Sequence, residues 1–205
     1  MYIPLRFFGL ASEKQIIAKV NINSDKFELN SVEFFNQIEK LDFKKLFKEL
    51  NKNLFCEVFA LHSGSINYLT YKSDVFYNVK VAPQKDINKN ILIFDISSIT
   101  RKFANKLCDI SHAELIVDNA YDCFVHGSMQ QLGKDMITYW KILRTEYPYV
   151  TNIKIDKIYS DVILTGGYGC SLDENFLIVV CPEEKRQLII NKLKTSNIEN
   201  IEWSF

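Results

Sequence analysis

The chain has 205 residues, of which 47% are hydrophobic and 24% are charged, and this composition excludes an intrinsically disordered protein. Lys+Arg and Asp+Glu both number 25, so no net charge would draw the chain to nucleic acid or anionic lipid. A chain of this length can bury one sizeable core, and we expect a single globular domain over residues 1–205.

The N-terminal part begins with two apolar runs, residues 2–8 and 15–22, which predict a hairpin or strand pair. Residues 31–50 follow with apolar side chains at helical spacing and Ser31 as a capping residue, which predicts an amphipathic helix. Its charged face predicts a solvated surface.

Four short runs rich in β-branched and aromatic residues come next, and they predict a β meander. They cover residues 54–61, 66–71, 75–81 and 91–96. A short helix is then expected over residues 101–107, and two further strands over residues 113–117 and 121–125.

A longer helix is predicted over residues 128–146, with an apolar face and a stop at Tyr147-Pro148. Two short apolar runs, 153–158 and 162–164, follow this stop.

The C-terminal segment is predicted to form a strand–helix–strand unit. Residues 176–180 are a continuous apolar strand, and Pro182 begins a helix. The expected buried stripe of this helix is Leu188, Ile189 and Leu193, and residues 198–203 close the unit as a strand. Such a unit is typical of a parallel crossover or half of a split ferredoxin-like fold. The fold class predicted for the whole chain is α/β (α+β), a mixed, largely antiparallel sheet with flanking helices.

The segment Thr165-Gly166-Gly167-Tyr168-Gly169-Cys170-Ser171 carries closely spaced glycines. Glycines let backbone N–H groups converge on an anion, so Gly166, Gly167 and Gly169 are candidate ligand-binding residues. The same pattern is typical of a bend between elements, and it lacks the GxGxxG and GxxxxGK[ST] spacings of nucleotide-binding loops. Both interpretations stay open, and a structural bend is favoured.

From Thr165 onward the chain resembles the C-terminal glycine loop, strand and helix of the GHMP small-molecule kinases. The N-terminus shows no counterpart of that family's nucleotide-binding glycine/serine loop, and the chain is short for such an enzyme. The resemblance therefore transfers no residue roles, and a kinase is not the predicted function.

Two histidines lie close to hydroxyl side chains, in His126-Gly127-Ser128 and His62-Ser63-Gly64-Ser65. Paired His-x-Ser/Thr units on neighbouring strands resemble the 2H phosphoesterases, in which one imidazole acts as base and the other as acid. Only His126 with Ser128 has the required spacing, so His126 and Ser128, with His62, are the candidate catalytic residues.

Other sites receive little support from the sequence. The five cysteines form no CxxC pair, which predicts reduced, buried thiols, and Cys108, Asp109 and His112 do not make a metal site. We expect no cofactor. A stretch of aromatic and basic side chains could stack on nucleic acid bases, but it is equally typical of strands in a folded core. Its members are Tyr68, Tyr71, Lys72, Phe76, Tyr77 and Lys80.

Without a catalytic motif, the predicted function is protein binding. A neutral microbial α/β protein without a signal peptide or a long apolar segment favours a cytoplasmic immunity or antitoxin-type inhibitor. Its expected partner is a toxin or enzyme, and neither a membrane nor nucleic acid is expected as a partner. The alternatives are a small phosphodiesterase or hydrolase using His126 and Ser128, and a ligand-binding module at Gly166–Gly169.

Overall fold

The computed structural model of the chain describes residues 2–7, 14–22, 66–72, 75–81, 87–99, 114–173 and 175–204. Within these residues the chain forms two antiparallel sheets and four α-helices. Three predicted elements, the helix at 31–50, the strand at 54–61 and the helix at 101–107, lie outside the described residues.

The first sheet is built on the predicted N-terminal strand pair. Strand β2 pairs antiparallel with β1 and β3, and β3 pairs with β4. The strands are β1 (Tyr2–Arg6), β2 (Lys14–Ile22), β3 (Ile66–Lys72) and β4 (Val75–Val81). The opening strand pair and the strands predicted at 66–71 and 75–81 are confirmed.

The second sheet has the strand order β6-β7-β5-β8, and every neighbouring pair is antiparallel. Its strands are β5 (Ile91–Asp95), β6 (Gly169–Asp173), β7 (Phe176–Val180) and β8 (Glu199–Ile201). The predicted meander is wrong at β5, because this strand leaves the first sheet and becomes a central strand of the second. Four of the five residues of β7 are buried and Phe176 is half-buried, as the apolar sequence of this strand predicted.

The C-terminal strand–helix–strand unit is confirmed. Both β7 and β8 run antiparallel to β5, so they are parallel to each other with β5 between them, which is the split form of the unit. The final strand, β9 (Trp203–Ser204), pairs instead with β2 of the first sheet. The chain therefore ends by joining the two sheets.

Four α-helices flank these sheets. They are α1 (Glu114–His126), α2 (Met129–Glu146), α3 (Ile153–Leu164) and α4 (Arg186–Lys194). Helix α2 and its end before Pro148 are confirmed, and Met136, Tyr139, Trp140 and Leu143 are buried on its inner face. Between Pro182 and α4 the chain makes a 3-10 turn at Glu183–Lys185.

The two strands predicted at 113–117 and 121–125 are wrong, because the described residues of both belong to α1. The buried side chains of α1 recur at helical spacing: Ile116, Val117, Ala120, Cys123 and Phe124. In the sequence, short runs of β-branched residues favoured the assignment of strands over a helix. Tertiary burial of the apolar stripe overrides their preference for strands.

Two further differences concern the extent of helix α3 and the buried face of helix α4. The apolar runs at 153–158 and 162–164 form the single helix α3, with Asn152 as its N-cap. In α4, Ile189 and Leu193 are fully buried, but Leu188 is 52% exposed and is not part of the buried stripe.

Most of the described apolar residues from both sheets and all four helices form one buried cluster, in which Trp140, Tyr139 and Phe94 are among the largest side chains. Ser171 lies in the middle of β6, and its hydroxyl donates to the carbonyl of Phe7, next to β1, at 2.6 Å. No helix in the described part of the chain is long and apolar enough to cross a bilayer. The predicted fold class, a mixed and largely antiparallel α/β arrangement with flanking helices, is confirmed.

Candidate functional site

The glycine segment forms the connection from α3 to β6. Helix α3 ends in a Schellman motif, in which the N–H of Gly166 donates to Ile163 at 3.0 Å and that of Gly167 donates to Val162 at 2.9 Å. Gly166 has φ +101°, a conformation that favours glycine. The first two glycines therefore end a helix.

The neighbouring amides are also used within the chain. The N–H of Thr165 donates to Asp161 at 3.1 Å, and that of Tyr168 donates to Val180 at 2.8 Å. All four N–H groups from 165 to 168 thus have backbone acceptors. An anion could recruit them only by displacing bonds that hold α3 and β6 in place.

Gly169 is required by close packing. A Cβ built on Gly169 would lie 2.0 Å from the carbonyl oxygen of Gly133 in α2, and one built on Gly133 would lie 2.4 Å from Tyr168 Cβ. These contacts explain the glycines through the crossing of α2 over β6. In the structure, Gly166 and Gly167 end helix α3, and Gly169 allows close packing of α2 on β6. Ligand binding by these three glycines stays a prediction.

The histidine candidate that the structure describes does not lie at the end of a strand. His126 is the last residue of α1, and Ser128 is the N-cap position of α2, where its side chain makes no capping hydrogen bond. Both residues are exposed. The strand placement of His126 is therefore wrong. His62 lies outside the described residues, and the catalytic role of the three residues is untested.

Three cysteines are described, and all are buried free thiols, as predicted: Cys123, Cys170 and Cys181. Burial raises the pKa of Cys123 to about 12 and that of Cys181 to about 11. It also raises the pKa of Cys170. Such thiols stay protonated at neutral pH and are poor nucleophiles. Cys56, Cys108 and His112 lie outside the described residues.

The aromatic stretch is divided between core and surface. The Tyr68 hydroxyl donates to Asp118 of α1, and its ring lies 4.9 Å from that of Tyr121, so Tyr68 joins β3 to α1. Tyr77 and Lys80 on β4 are exposed. The side chains of Tyr71, Lys72 and Phe76 lie outside the described part of the structure.

A buried carboxyl group joins α1 and α2. Asp135 is 7% exposed; its Oδ1 accepts from Gln131 Nε2 at 3.0 Å, and its Oδ2 accepts from Cys123 Sγ at 3.7 Å. Burial raises the pKa of Asp135, although the two donors oppose that rise. Neither donor is charged, so the cluster has no cation that would stabilise a reactive thiolate at Cys123. It serves as a structural contact between the two helices.

A cleft of about 460 Å³ lies where a 3-10 turn before β5 (Ile87–Asn90), the 3-10 turn before α4 and the last two strands meet. Arg186 forms one wall, and its Nη1 donates to the carbonyls of Asn88 at 3.0 Å, Lys89 at 2.8 Å and Ile91 at 2.8 Å. This cavity has the size of a small-molecule site. Its lining residues are Asn88, Lys89, Glu183, Arg186, Asn200, Ile201, Glu202 and Trp203.

Sequence reasoning missed this cleft completely. Lys89 and Arg186 are 97 positions apart in the chain, and their neighbours match no motif. The pairing of β5 with both β7 and β8 brings these distant segments together. Within the described ranges, no group of three His, Cys, Asp or Glu side chains is arranged to hold a metal ion.

No protein-family model matches the sequence, and no curated protein matches it. Solved structures do match the fold. The L. major mevalonate kinase in complex with R-mevalonate has a TM-score of 0.63 and 12% identity, with 98% of this chain and 93% of that chain covered. Mevalonate kinase from methicillin-resistant Staphylococcus aureus has a TM-score of 0.62 and 9% identity, with 99% and 96% covered.

A third match is the D-glycero-D-manno-heptose 1-phosphate kinase from Bacteroides thetaiotaomicron, with a TM-score of 0.57 and 10% identity. It covers 80% of this chain, which spans about half (51%) of that longer enzyme. All three are kinases with a GHMP-kinase-like α/β fold. At these low sequence identities, the matches show the fold of this chain and do not show its activity.

These matches overturn the predicted function. The predictions of an immunity or antitoxin-type inhibitor and of a toxin partner are wrong, because the solved structures that match this chain are kinases, and none of those named above is an immunity protein or antitoxin. The resemblance noted from Thr165 onward was to this same fold, and in three dimensions the likeness extends over 98% of the chain.

Proposed function

We propose that this protein is a small-molecule kinase, which transfers the γ-phosphoryl group of a nucleoside triphosphate to a hydroxyl group of a metabolite. The observation that carries the proposal is the match of nearly the whole chain to mevalonate kinases, with TM-scores of 0.63 and 0.62. Phosphoryl transfer depends mainly on positioning and electrostatics, which a shared fold can provide despite low identity.

The proposal extends to cell location and domain organisation. Three buried free cysteines fit a reducing compartment, and we propose that the protein is cytoplasmic. The pairing of β9 with β2 supports one domain over residues 1–205.

A second candidate function is ligand binding without phosphoryl transfer. One observation favours it: the only cluster of glycines in the sequence has its N–H groups from 165 to 168 bonded within the chain. A phosphate cradle of backbone amides would need those groups to be open. A chain that has kept the fold and lost transfer would still bind a metabolite.

One assay separates the two functions. The purified full chain is incubated with Mg²⁺ and γ-labelled ATP or GTP, together with mevalonate, monosaccharides or sugar 1-phosphates, and labelled products are separated chromatographically. A mock preparation from cells lacking the chain controls for host kinases. Acceptor-dependent label in a product supports the kinase.

Binding of the same compounds is measured in parallel by calorimetry. Binding of an acceptor with no label transfer from either nucleotide would contradict the kinase and support ligand binding alone. Failure of every compound both to bind and to accept label would contradict both functions.

A further inference from the structure

The outer edge of strand β4 has no partner strand within the described part of the chain. Strand β4 lies at the end of the sheet path β1-β2-β3-β4, and all seven of its residues pair with β3 on the inner side. The register from Val75↔Lys72 to Val81↔Ile66 is unbroken, so β4 is a regular strand without a bulge. On alternate residues of such a strand, the backbone N–H and C=O point away from the sheet and can pair with a further strand.

The other three end strands of the two sheet paths each have a feature that limits further pairing. Strand β1 contains Pro4, which has no N–H to donate. Strand β8 has only three residues, and all five residues of β6 are buried. Strand β4 has the sequence Val-Phe-Tyr-Asn-Val-Lys-Val, which contains no proline, and its one charged residue, Lys80, lies next to its end. A long apolar edge of this kind pairs readily with another strand.

Two apolar side chains are exposed along this edge. Tyr77 is 58% exposed and Val79 is 44% exposed, and both lie on one face of β4 because side chains alternate along a strand. The register with β3 places Val79 beside Tyr68, the residue that contacts α1. Exposed apolar surface therefore lies directly beside the open backbone groups of β4.

The edge of β4 is complementary to itself. If two copies of β4 pair antiparallel about a two-fold axis at Asn78, Tyr77 of each copy lies opposite Val79 of the other. Each exposed apolar side chain then has an apolar neighbour across the strands. The same pairing places Lys80 opposite position 76 of the second copy, so the two lysines are about 13 Å apart along the strands and do not face each other.

We propose that the outer edge of β4 binds a second copy of this chain, antiparallel about a two-fold axis at Asn78, so that the first sheets of two copies form one continuous sheet. Backbone hydrogen bonds along β4 supply the attraction, and the contacts between Tyr77 and Val79 set the register. This dimer is independent of phosphoryl transfer and forms whether or not the chain is a kinase.

The first experiment measures the mass of the full chain by sedimentation equilibrium from about 1 to 200 µM, where dimers of moderate affinity form. We expect the mass to rise from that of one 23.9 kDa chain to twice that value. Hydrogen exchange at the two ends of this range should show slower exchange of β4 amides in the dimer, with no change in the central strand β7. A single-chain mass throughout would overturn the proposal and assign the edge to an extended segment of another protein. A dimer that leaves exchange in β4 unchanged would overturn it as well.

Two double variants test the register. Tyr77→Lys/Val79→Lys puts like charges opposite each other at both symmetric contacts, and we expect the dimer dissociation constant to rise by about 10-fold or more. Tyr77→Lys/Val79→Glu changes the same two positions but puts a lysine opposite a glutamate, so it should dimerise about 10-fold more tightly than the first variant. Equal dissociation constants for the two variants would contradict the proposed pairing.

The matched control is Leu164→Lys, which places the same charge at an apolar position that is 82% exposed on α3, a helix that packs against α4 and β6. Its dissociation constant is expected to stay within about 2-fold of the wild type. A loss as large as that of Tyr77→Lys/Val79→Lys would contradict the assignment of the interface to β4. Thermal unfolding of each variant checks that the fold is kept.

Discussion

Gly133 and Gly169 show how single residues set the closeness of a helix and a strand. Any side chain on either glycine would overlap backbone atoms of the other element, and backbone cannot move aside as the end of a flexible side chain can. The glycine-rich sequence around Gly169 suggested a ligand loop, and the contact with α2 gives it a packing role.

We predict that Gly169→Ala lowers the free energy of unfolding by about 3 kcal/mol, because the new methyl group forces α2 away from β6. Gly133→Ala is expected to act similarly. The double variant should lose less than the sum, since one displacement makes room for both methyl groups. Urea unfolding of the four proteins measures this coupling, and strictly additive losses would contradict the contact.

Asp135 is a second single-residue feature, a carboxyl group buried between α1 and α2. Its pKa is raised by burial, so the folded state holds the proton at pH values where the unfolded state, with a carboxyl pKa of about 3.9, has released it. This group's contribution to stability therefore falls as pH rises from about 4 through the raised pKa, and the deficit persists above it.

Asp135→Asn removes the ionisation and keeps the size of the side chain. We predict that the variant gains stability relative to the wild type as pH rises from about 4 to 7, and that most of the gain has appeared once pH exceeds the raised pKa. Urea midpoints at several pH values provide the measurement. Asp122→Asn, an exposed change of equal charge on α1, is the control. A stability difference between Asp135→Asn and wild type that does not vary with pH would argue against a raised pKa.

At the scale of elements, the helix N-termini differ in how they are capped. Asn152 Oδ1 accepts from the N–H groups of Lys154 at 2.9 Å and Ile155 at 3.0 Å, which satisfies two amides that have no partner inside α3. Ser128 occupies the same position before α2 without any such bond. Residue type alone would have ranked the two as equal caps.

We predict that Asn152→Ala destabilises the protein by about 1 kcal/mol, whereas Ser128→Ala changes stability by less than about 0.5 kcal/mol. Asn152→Asp should retain most of the stability, because its carboxylate accepts the same bonds. Thermal and urea unfolding of the three variants test the difference. Equal losses at residues 128 and 152 would show that the capping bonds of Asn152 contribute nothing.

For the whole molecule, Ser171 is a buried link between the two sheets. It is 1% exposed, and its hydroxyl reaches the Phe7 carbonyl across a sequence separation of 164 residues. Together with the pairing of β9 and β2, this bond ties the C-terminal sheet to the N-terminal strands.

We predict that Ser171→Ala costs about 1 to 3 kcal/mol, since it leaves the Phe7 carbonyl without its donor in the core. Ser160→Ala, at an exposed position of α3, is the matched control and is expected to stay within about 0.5 kcal/mol of the wild type. Hydrogen exchange of the amides in β1 and β6 shows whether the loss is localised to the junction. A loss no larger than that of Ser160→Ala would contradict the role of this bond.

The fold was predictable where local pattern and final burial agree. The apolar run of β7, the proline after α2 and the amphipathic period of α2 each identified their elements correctly. Helix α1 was misassigned, because its β-branched runs favour strands until the whole stripe is seen packed against the core. The function was mispredicted for a related reason: function is recognised in a sequence through motifs, and at 9 to 12% identity a shared fold leaves few of them.

The sequence by itself determined the mixed α/β class, the C-terminal strand–helix–strand unit and the burial of the described cysteines, since these depend on neighbouring residues in the chain. Only the tertiary structure decided the transfer of β5 to the second sheet, the packing role of Gly169 and the cleft beside Arg186. These features join residues far apart in sequence, and contacts of that kind leave no local period or spacing from which they can be recognised.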